Sequence, residues 1–362
     1  MASYSSPLHL RAILLPEGEE RDLWIVGDRL TYEPISGAHT ISTTGWAIPG
    51  LVDAHCHIGL GPGGPVSHVA EARELAIQNR DAGILTIRDA GSPIDYAELD
   101  DDVELPRLLR AGRHIAAPRR YLRGLAIECA PEQLAAEAAG QARAGNGWVK
   151  IVGDWIDRSL GDLAPAYDDG TIAAAVTAAH AAGARVAVHT FSEAALPGLI
   201  AAGVDSIEHG TGLSPELVGQ MAEKGIALVP TLTNIANFPH YAAQGEPKFP
   251  RYANHMRSLH AGFPAVIAAA YDAGVPIYAG TDAGTVVAHA QLPSEIGRLH
   301  AAGMSAADAL AAGSWRAREW LGLTGLVEDG LADVVVYPRD PRVDLGVLAE
   351  PSRIVLRGRL IR

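Results

Sequence analysis

Between residues 49 and 324 the chain repeats one pattern: a short run rich in β-branched residues, then a longer alanine- and leucine-rich window with helical spacing. The strand-like runs are GLVDAHCH, ILTIRDAG, RHIAAP, WVKIVGD, RVAVHT, VDSIEHG, IALVPTL and VPIYAGTD. Parallel strands need long crossovers, and intervening helices supply them. Eight such units are the count of a (β/α)8 TIM barrel, an α/β fold. The flanks read differently. HLRAILL and DLWIVGDRLTY before the repeat, and LADVVVYP and RIVLRGRLIR after it, are strand runs separated by turn-formers. Segments 1–48 and 325–362 are therefore expected to pair into one small β-domain, with 49–324 as the barrel domain.

A barrel of this kind gathers function at the C-terminal ends of its strands, and the chain places its chemistry-bearing residues there. Strand one ends in His55 and His57, strand two in Arg88 and Asp89, strand four carries Lys150, strand five ends at His189, strand six at His209 and strand eight at Asp282. Alternation puts His55 and His57 on one face and Cys56 on the other, so Cys56 is not read as a ligand. Imidazoles and a carboxylate converging on one rim are a donor set for a divalent metal. Lys150 has two readings. As an ammonium it has no lone pair for a metal and would point away, toward Asp154; as the neutral amine it can take up CO2, giving a carbamate able to bridge two metals.

Other rim residues are candidates for substrate. Arg88 fits either a bidentate pair with a substrate carboxylate or an internal ion pair. Tyr121 and Arg120 could reach over the site from the strand-three loop, Arg120 reading more as surface, and His289 could contact substrate from the last loop. Trp155 reads as packing, the stretch from Asn234 to Arg257 as a lid-sized loop, and His9, His39, His68, His114, His180 and His300 as surface or packing.

The surrounding text, TTGWAIPGLVDAHCHIGL, GILTIRDAGS, GVDSIEHGTGL, MAEKGIALVPTLTNIA, AGTDAGTVVAHAQLPSEI and LADVVVYPRD, resembles the amidohydrolase superfamily over nearly the whole chain, in the branch holding imidazolonepropionase-like and binuclear prolidase-like proteins. The resemblance implies a β-sandwich built from both chain ends. It implies that His55, His57 and Asp282 hold one metal, that His189 and His209 hold another, and that carboxylated Lys150 bridges them with a hydroxide. The cofactors implied are two divalent ions, with zinc favoured and manganese, cobalt or iron also suited to the donors, plus CO2 as the carbamate. The implied activity is hydrolysis of an amide C–N bond in a dipeptide, N-acyl amino acid or related amide, with Asp282 as proton shuttle. The alternative is a cyclic-amide hydrolase or deaminase, and a third reading is a non-catalytic scaffold. Two departures fall where substrate would sit: RRYLRGLAIE replaces the Gly-Gly-His segment of many relatives after strand three, and HTFSEA follows strand five.

Composition narrows the partners. The net charge of −13 argues against nucleic acid and anionic membrane, and no run of about twenty apolar residues suggests a span. MASYSSPLHLRAILLPEGEE does not resemble a secretory signal, and two cysteines are too few for a disulfide framework. A cytoplasmic enzyme with a small-molecule substrate is expected, and the resemblance implies a homo-oligomer as a common assembly.

Overall fold

The computed structural model describes residues 6–362; the first five residues of the expected terminal β-unit, and of the stretch read for a signal, lie outside the described residues. Strands from both ends of the chain join one eight-stranded sheet, in the order Arg359–Leu360, Arg353–Leu356, Val334–Tyr337, Trp46–Ile48, Leu8–Leu14, Glu19–Val26, Arg29–Thr31, with His39–Ser42 also pairing Leu8–Leu14. Period-two alternation explains its inner face: Leu8, Leu10, Ala12 and Leu14 are buried with Leu23, Ile25, Val334, Val336 and Val355 in a cluster of their own. Each of these leucine, isoleucine and valine side chains contributes about 1.5–3 kcal/mol by leaving water. Asp333, fully buried, ties this sheet to the rest through Arg107 and Arg318.

The remainder is a TIM-barrel-like α/β fold. Its central strands are β1 (Leu51–Cys56), β2 (Ile84–Asp89), β3 (Arg107–Arg110), β4 (Trp148–Val152), β5 (Arg185–Thr190), β6 (Ser206–His209) and β7 (Ala227–Val229). They form two parallel sheets rather than one continuous ladder. One runs β3-β2-β1; the other runs from two-residue strands at Ile127–Glu128 and Ile115–Ala116 through β4, β5 and β6 to β7. β1, β2 and β4 to β7 are buried along almost their whole length, as parallel strands covered on both faces must be.

Two strands differ from their sequence reading. The third was expected over RHIAAP; it instead breaks into β3 and Ile115–Ala116, with Gly112 between them at φ 67°, where a Cβ would lie 2.6 Å from Gln141 Oε1. The eighth makes bridges rather than a regular strand: Tyr278 N donates to Leu228 O, Ala54 N to Ala279 O and Asp282 N to His55 O, so residues 278–282 still lie between β7 and β1. The stretch 234–257, expected as a loop, is mostly helical, through Leu232–Ile235, Phe238–Gly245 and the start of Pro250–Asp272. After β4 a hairpin of Asp154–Asp157 and Asp162–Pro165 rises beside it. Among the described residues no helix is long and apolar enough to cross a membrane.

Candidate metal centre

His55 and His57 leave β1 toward one spot. The Nδ1 of His55 lies 2.6 Å from Glu208 Oε2, and since a carboxylate only accepts, Nδ1 carries the proton and Nε2 keeps its lone pair. The same argument applies to His57, whose Nδ1 donates to Gly91 O at 2.7 Å. Both Nε2 atoms then face Asp282 Oδ1, at 3.2 and 3.1 Å. The Nδ1 of His209 is occupied by the Thr231 hydroxyl at 2.7 Å. Anchoring one ring nitrogen so that the other is presented is how proteins orient metal-binding imidazoles.

Ligand atoms of His55, His209 and Asp282 lie within 4.8 Å of one another. This tightest group crosses the two ligand sets that the resemblance implied. His189 packs beside His209, ring centroids 4.7 Å apart; its Nε2 is buried, has no hydrogen-bond partner among the described residues and lies 3.7 Å from Asp154 Oδ1. Lys150 is 4% exposed, and its Nζ is 3.5 Å from His55 Nε2. Asp154 instead accepts the amides of Phe191 and Ser192. The donors fit a divalent transition ion: neutral imidazole nitrogens held in place, a carboxylate oxygen and a buried amine.

The electrostatics agree. Burial pushes His189 and His209 well below the ordinary histidine range, keeping their lone pairs free. Burial also pulls the Lys150 amine down to about 8, partly opposed by Glu208 and Asp282. For Asp282 burial acts upward, but His55, His57 and His209 outweigh it and hold the carboxyl well below its usual range.

The aim of these groups is set by unusual backbone. His209, Thr231 and Asp282 have φ of 69°, 49° and 56°, a left-handed conformation that costs a non-glycine residue about 1–3 kcal/mol and is found where a site demands it. Gly280 lets the eighth segment approach β1: a Cβ there would sit 2.5 Å from Val229 Cγ1 and 2.7 Å from His55 Cβ. Gly280→Ala is therefore expected to destabilise the protein by about 1–3 kcal/mol and to weaken metal binding, read by urea unfolding and by metal analysis. Unchanged metal affinity would show that the contact does not position His55.

Several sequence expectations need correction. Arg88 does not face substrate: it is 1% exposed, its Nη2 lies 2.8 Å from both oxygens of Glu208, and its guanidinium stacks over Trp148. The internal ion pair holds because a carboxylate this deep needs a cation. His289 likewise turns away, its Nε2 to Leu60 O and its Nδ1 toward Asn79 and Cys56, behind the metal-facing side of β1. Arg120 is a brace, donating to Asp157 and to the carbonyls of Trp155 and Ala164. Tyr121 does reach the site, its ring 5.9 Å from that of His189. Sequence reasoning missed Glu208 and Asn234, the latter donating to Asp282 Oδ2 at 2.6 Å and accepting from Tyr241. It also placed His114 at the surface or in packing, whereas that ring lies 6.0 Å from His57.

The family model described as the amidohydrolase family matches residues 46–358. An uncharacterized protein of Mycobacterium tuberculosis is 52% identical over 354 residues, covering 97% of this chain and 95% of the relative. Among solved structures, a candidate prolidase from Bifidobacterium longum superposes with a TM-score of 0.85 at 25% identity, covering 99% of this chain and 95% of that one. An ochratoxinase from A. niger shares the fold at TM-score 0.80 and 20% identity, over 99% of this chain and 96% of that one.

Proposed function

This chain belongs to the amidohydrolase family and is an enzyme acting on C–N bonds, and we propose that it hydrolyses the amide bond of a small molecule at the centre formed by His55, His57, Lys150, His189, His209 and Asp282. The observation that carries this reading is the presentation of His55 and His57 Nε2 onto one oxygen of Asp282, with Lys150 and His209 beside them. His55, His57 and Asp282 would hold one divalent ion and His189 and His209 a second, zinc fitting both, with Lys150 as a carbamate between them. Bound there, such ions supply Lewis-acid polarisation of a carbonyl and acidify water.

The chain's own residues account for the proton. With Oδ1 of Asp282 facing two imidazoles, Oδ2 is the atom that takes a proton from the attacking water and passes it to the departing nitrogen. Asn234 orients Oδ2, and one lone pair remains on that oxygen after it accepts from the amide. Glu208 fixes the His55 tautomer, and the buried rim excludes bulk water. Around this centre we read residues 49–324 as a closed barrel domain, and 1–48 with 325–362 as its companion β-sandwich.

The test is a hydrolysis panel on metal-loaded protein, with dipeptides, N-acyl amino acids, neutral amides, lactams and amino-heterocycles, and Asp282→Asn as the blank. Cleavage of linear amides supports the reading; ring opening or ammonia release would replace it with the cyclic-substrate chemistry. The carbamate has its own test. An amine reacts with CO2 only when neutral, and the Lys150 amine loses its proton as pH rises through about 8. Loading of apoprotein with metal and bicarbonate is thus expected to be faster at high than at low pH across that value. Lys150→Met should drop the metal content from two ions per chain to one, measured by elemental analysis; two ions retained would remove Lys150 from the bridge.

A further inference from the structure

We infer that the metal centre opens into a ring-accepting subsite walled by Tyr121, Trp155 and Phe191 and closed by His114, and that the substrate is an amide carrying an uncharged aromatic ring with a hydrogen-bonding substituent. This deepens the amide-hydrolase reading and rests on it for the reaction, though not for the binding.

The wall is continuous with the metal-facing histidines. The Phe191 ring lies 4.3 Å from that of His189 and 4.9 Å from that of His209. Trp155 follows at 5.5 Å from His189, and Tyr121 stands edge-on to Trp155 at 4.8 Å. Tyr121 and Trp155 are half-buried, while Phe191 is buried at the base of the wall. Tilted and edge-to-face rings at these spacings form the surface against which another flat ring packs well.

His114 supplies the second, independent observation. It is 2% exposed, and neither of its ring nitrogens has a hydrogen-bond partner among the described residues. Its ring stands 5.2 Å from that of Tyr121 and 6.0 Å from that of His57, placing it where the wall meets the centre. Buried polar atoms are nearly always paired, so two unpaired nitrogens on one ring call for a partner that the chain itself does not supply, a bound molecule or water. Charge argues against an anionic ring. Carboxylates are best held by a guanidinium or ammonium, and of the arginines read at the rim Arg88 is taken by Glu208 and Arg120 by Asp157 and backbone carbonyls, so neither of these is free for an anionic ring.

The experiment has a catalytic arm and a binding arm, both on the metal-loaded enzyme. In the first, kcat/KM is measured for acetanilide and N-butylbenzamide, their para-hydroxy and para-carboxylate forms, and N-butylacetamide. In at least one of the two ring series, the plain ring should exceed N-butylacetamide about tenfold or more, and the para-carboxylate should fall by a similar factor. Tyr121→Ala should erase the ring preference chiefly through KM. His114→Phe, which keeps a ring but removes both nitrogens, should erase the gain of the para-hydroxy form alone, and His114→Gln should restore part of it. In the second arm, propiophenone and 2-pentanone, which carry no amide to cleave, are titrated while tryptophan fluorescence is followed. Propiophenone should bind about tenfold tighter, and Trp155→Phe should abolish the signal. Ring-selective binding with no amide turned over would leave the subsite standing and overturn the hydrolase reading. Turnover led by N-butylacetamide or a ring carboxylate, with both ketones binding alike, would overturn the subsite.

Discussion

Asp282→Asn is expected to lower kcat by about 10²- to 10⁴-fold, the size of a positioned acid–base group's contribution, while the metal content per chain stays as in the unsubstituted protein. Asparagine keeps the Oδ1 that faces His55 and His57 Nε2 at 3.2 and 3.1 Å. What it lacks is an atom at the Oδ2 position that can take and return a proton. Its amide nitrogen would also meet the Asn234 nitrogen that now donates to Oδ2, so a paired change to Asn234→Asp separates the lost hydrogen bond from the lost base. The check is elemental analysis beside steady-state kinetics on one preparation. If activity and metal content fall in step, Asp282 is a ligand and the shuttle lies elsewhere.

Arg88→Met is the largest expected change in stability, a loss of about 3–5 kcal/mol in urea unfolding, because it strands the Glu208 carboxylate in a site with no access to water. Burial drives that carboxyl upward, yet Arg88, Lys150 and His55 together hold it well below its ordinary value. Removing both charges, as in Arg88→Met with Glu208→Met, should recover most of the stability, since a buried pair replaced by apolar groups of similar volume is close to neutral. Metal content should not recover with it: Glu208 also receives the His55 Nδ1 proton, and that function goes with the carboxylate. A stable Arg88→Met enzyme with a raised KM would instead return Arg88 to the substrate.

The site was legible in the sequence as far as strand periodicity reaches. His55 and His57 are two apart on a strand, so their common face follows from alternation alone, and Cys56 falls opposite. Lys150 and His189 sit on or at the ends of regular parallel strands for the same reason. Alternation stops at the rim. On β6 it puts Ser206 and Glu208 together, and these do share Arg88. His209, next in line, is re-aimed by its positive φ rather than by its place on the strand. Arg88 was misplaced because a strand-end position does not reveal how deep the side chain sits. His114 was missed because the third strand was expected to end later than it does, which moved the rim past it. Asn234 gave no signal: its part is created by a helix folding over Asp282 from far along the chain.

The eight-stranded sheet sets a condition on biosynthesis. Trp46–Ile48 lies between Leu8–Leu14 and Val334–Tyr337, and two residues beyond it the chain enters β1, the strand that carries His55 and His57. One edge of that strand has its neighbour almost at once; the other waits until nearly the whole polypeptide has left the ribosome. Through most of translation the nascent chain therefore carries an open β-edge just upstream of the strand bearing His55 and His57. Residues made near the end, Val334–Tyr337, close the second edge of Trp46–Ile48, whereas Leu51–Cys56 itself pairs with Ile84–Asp89 much earlier. An arrested chain therefore keeps the neighbour of the histidine-bearing strand and lacks the terminal sheet that anchors its entry.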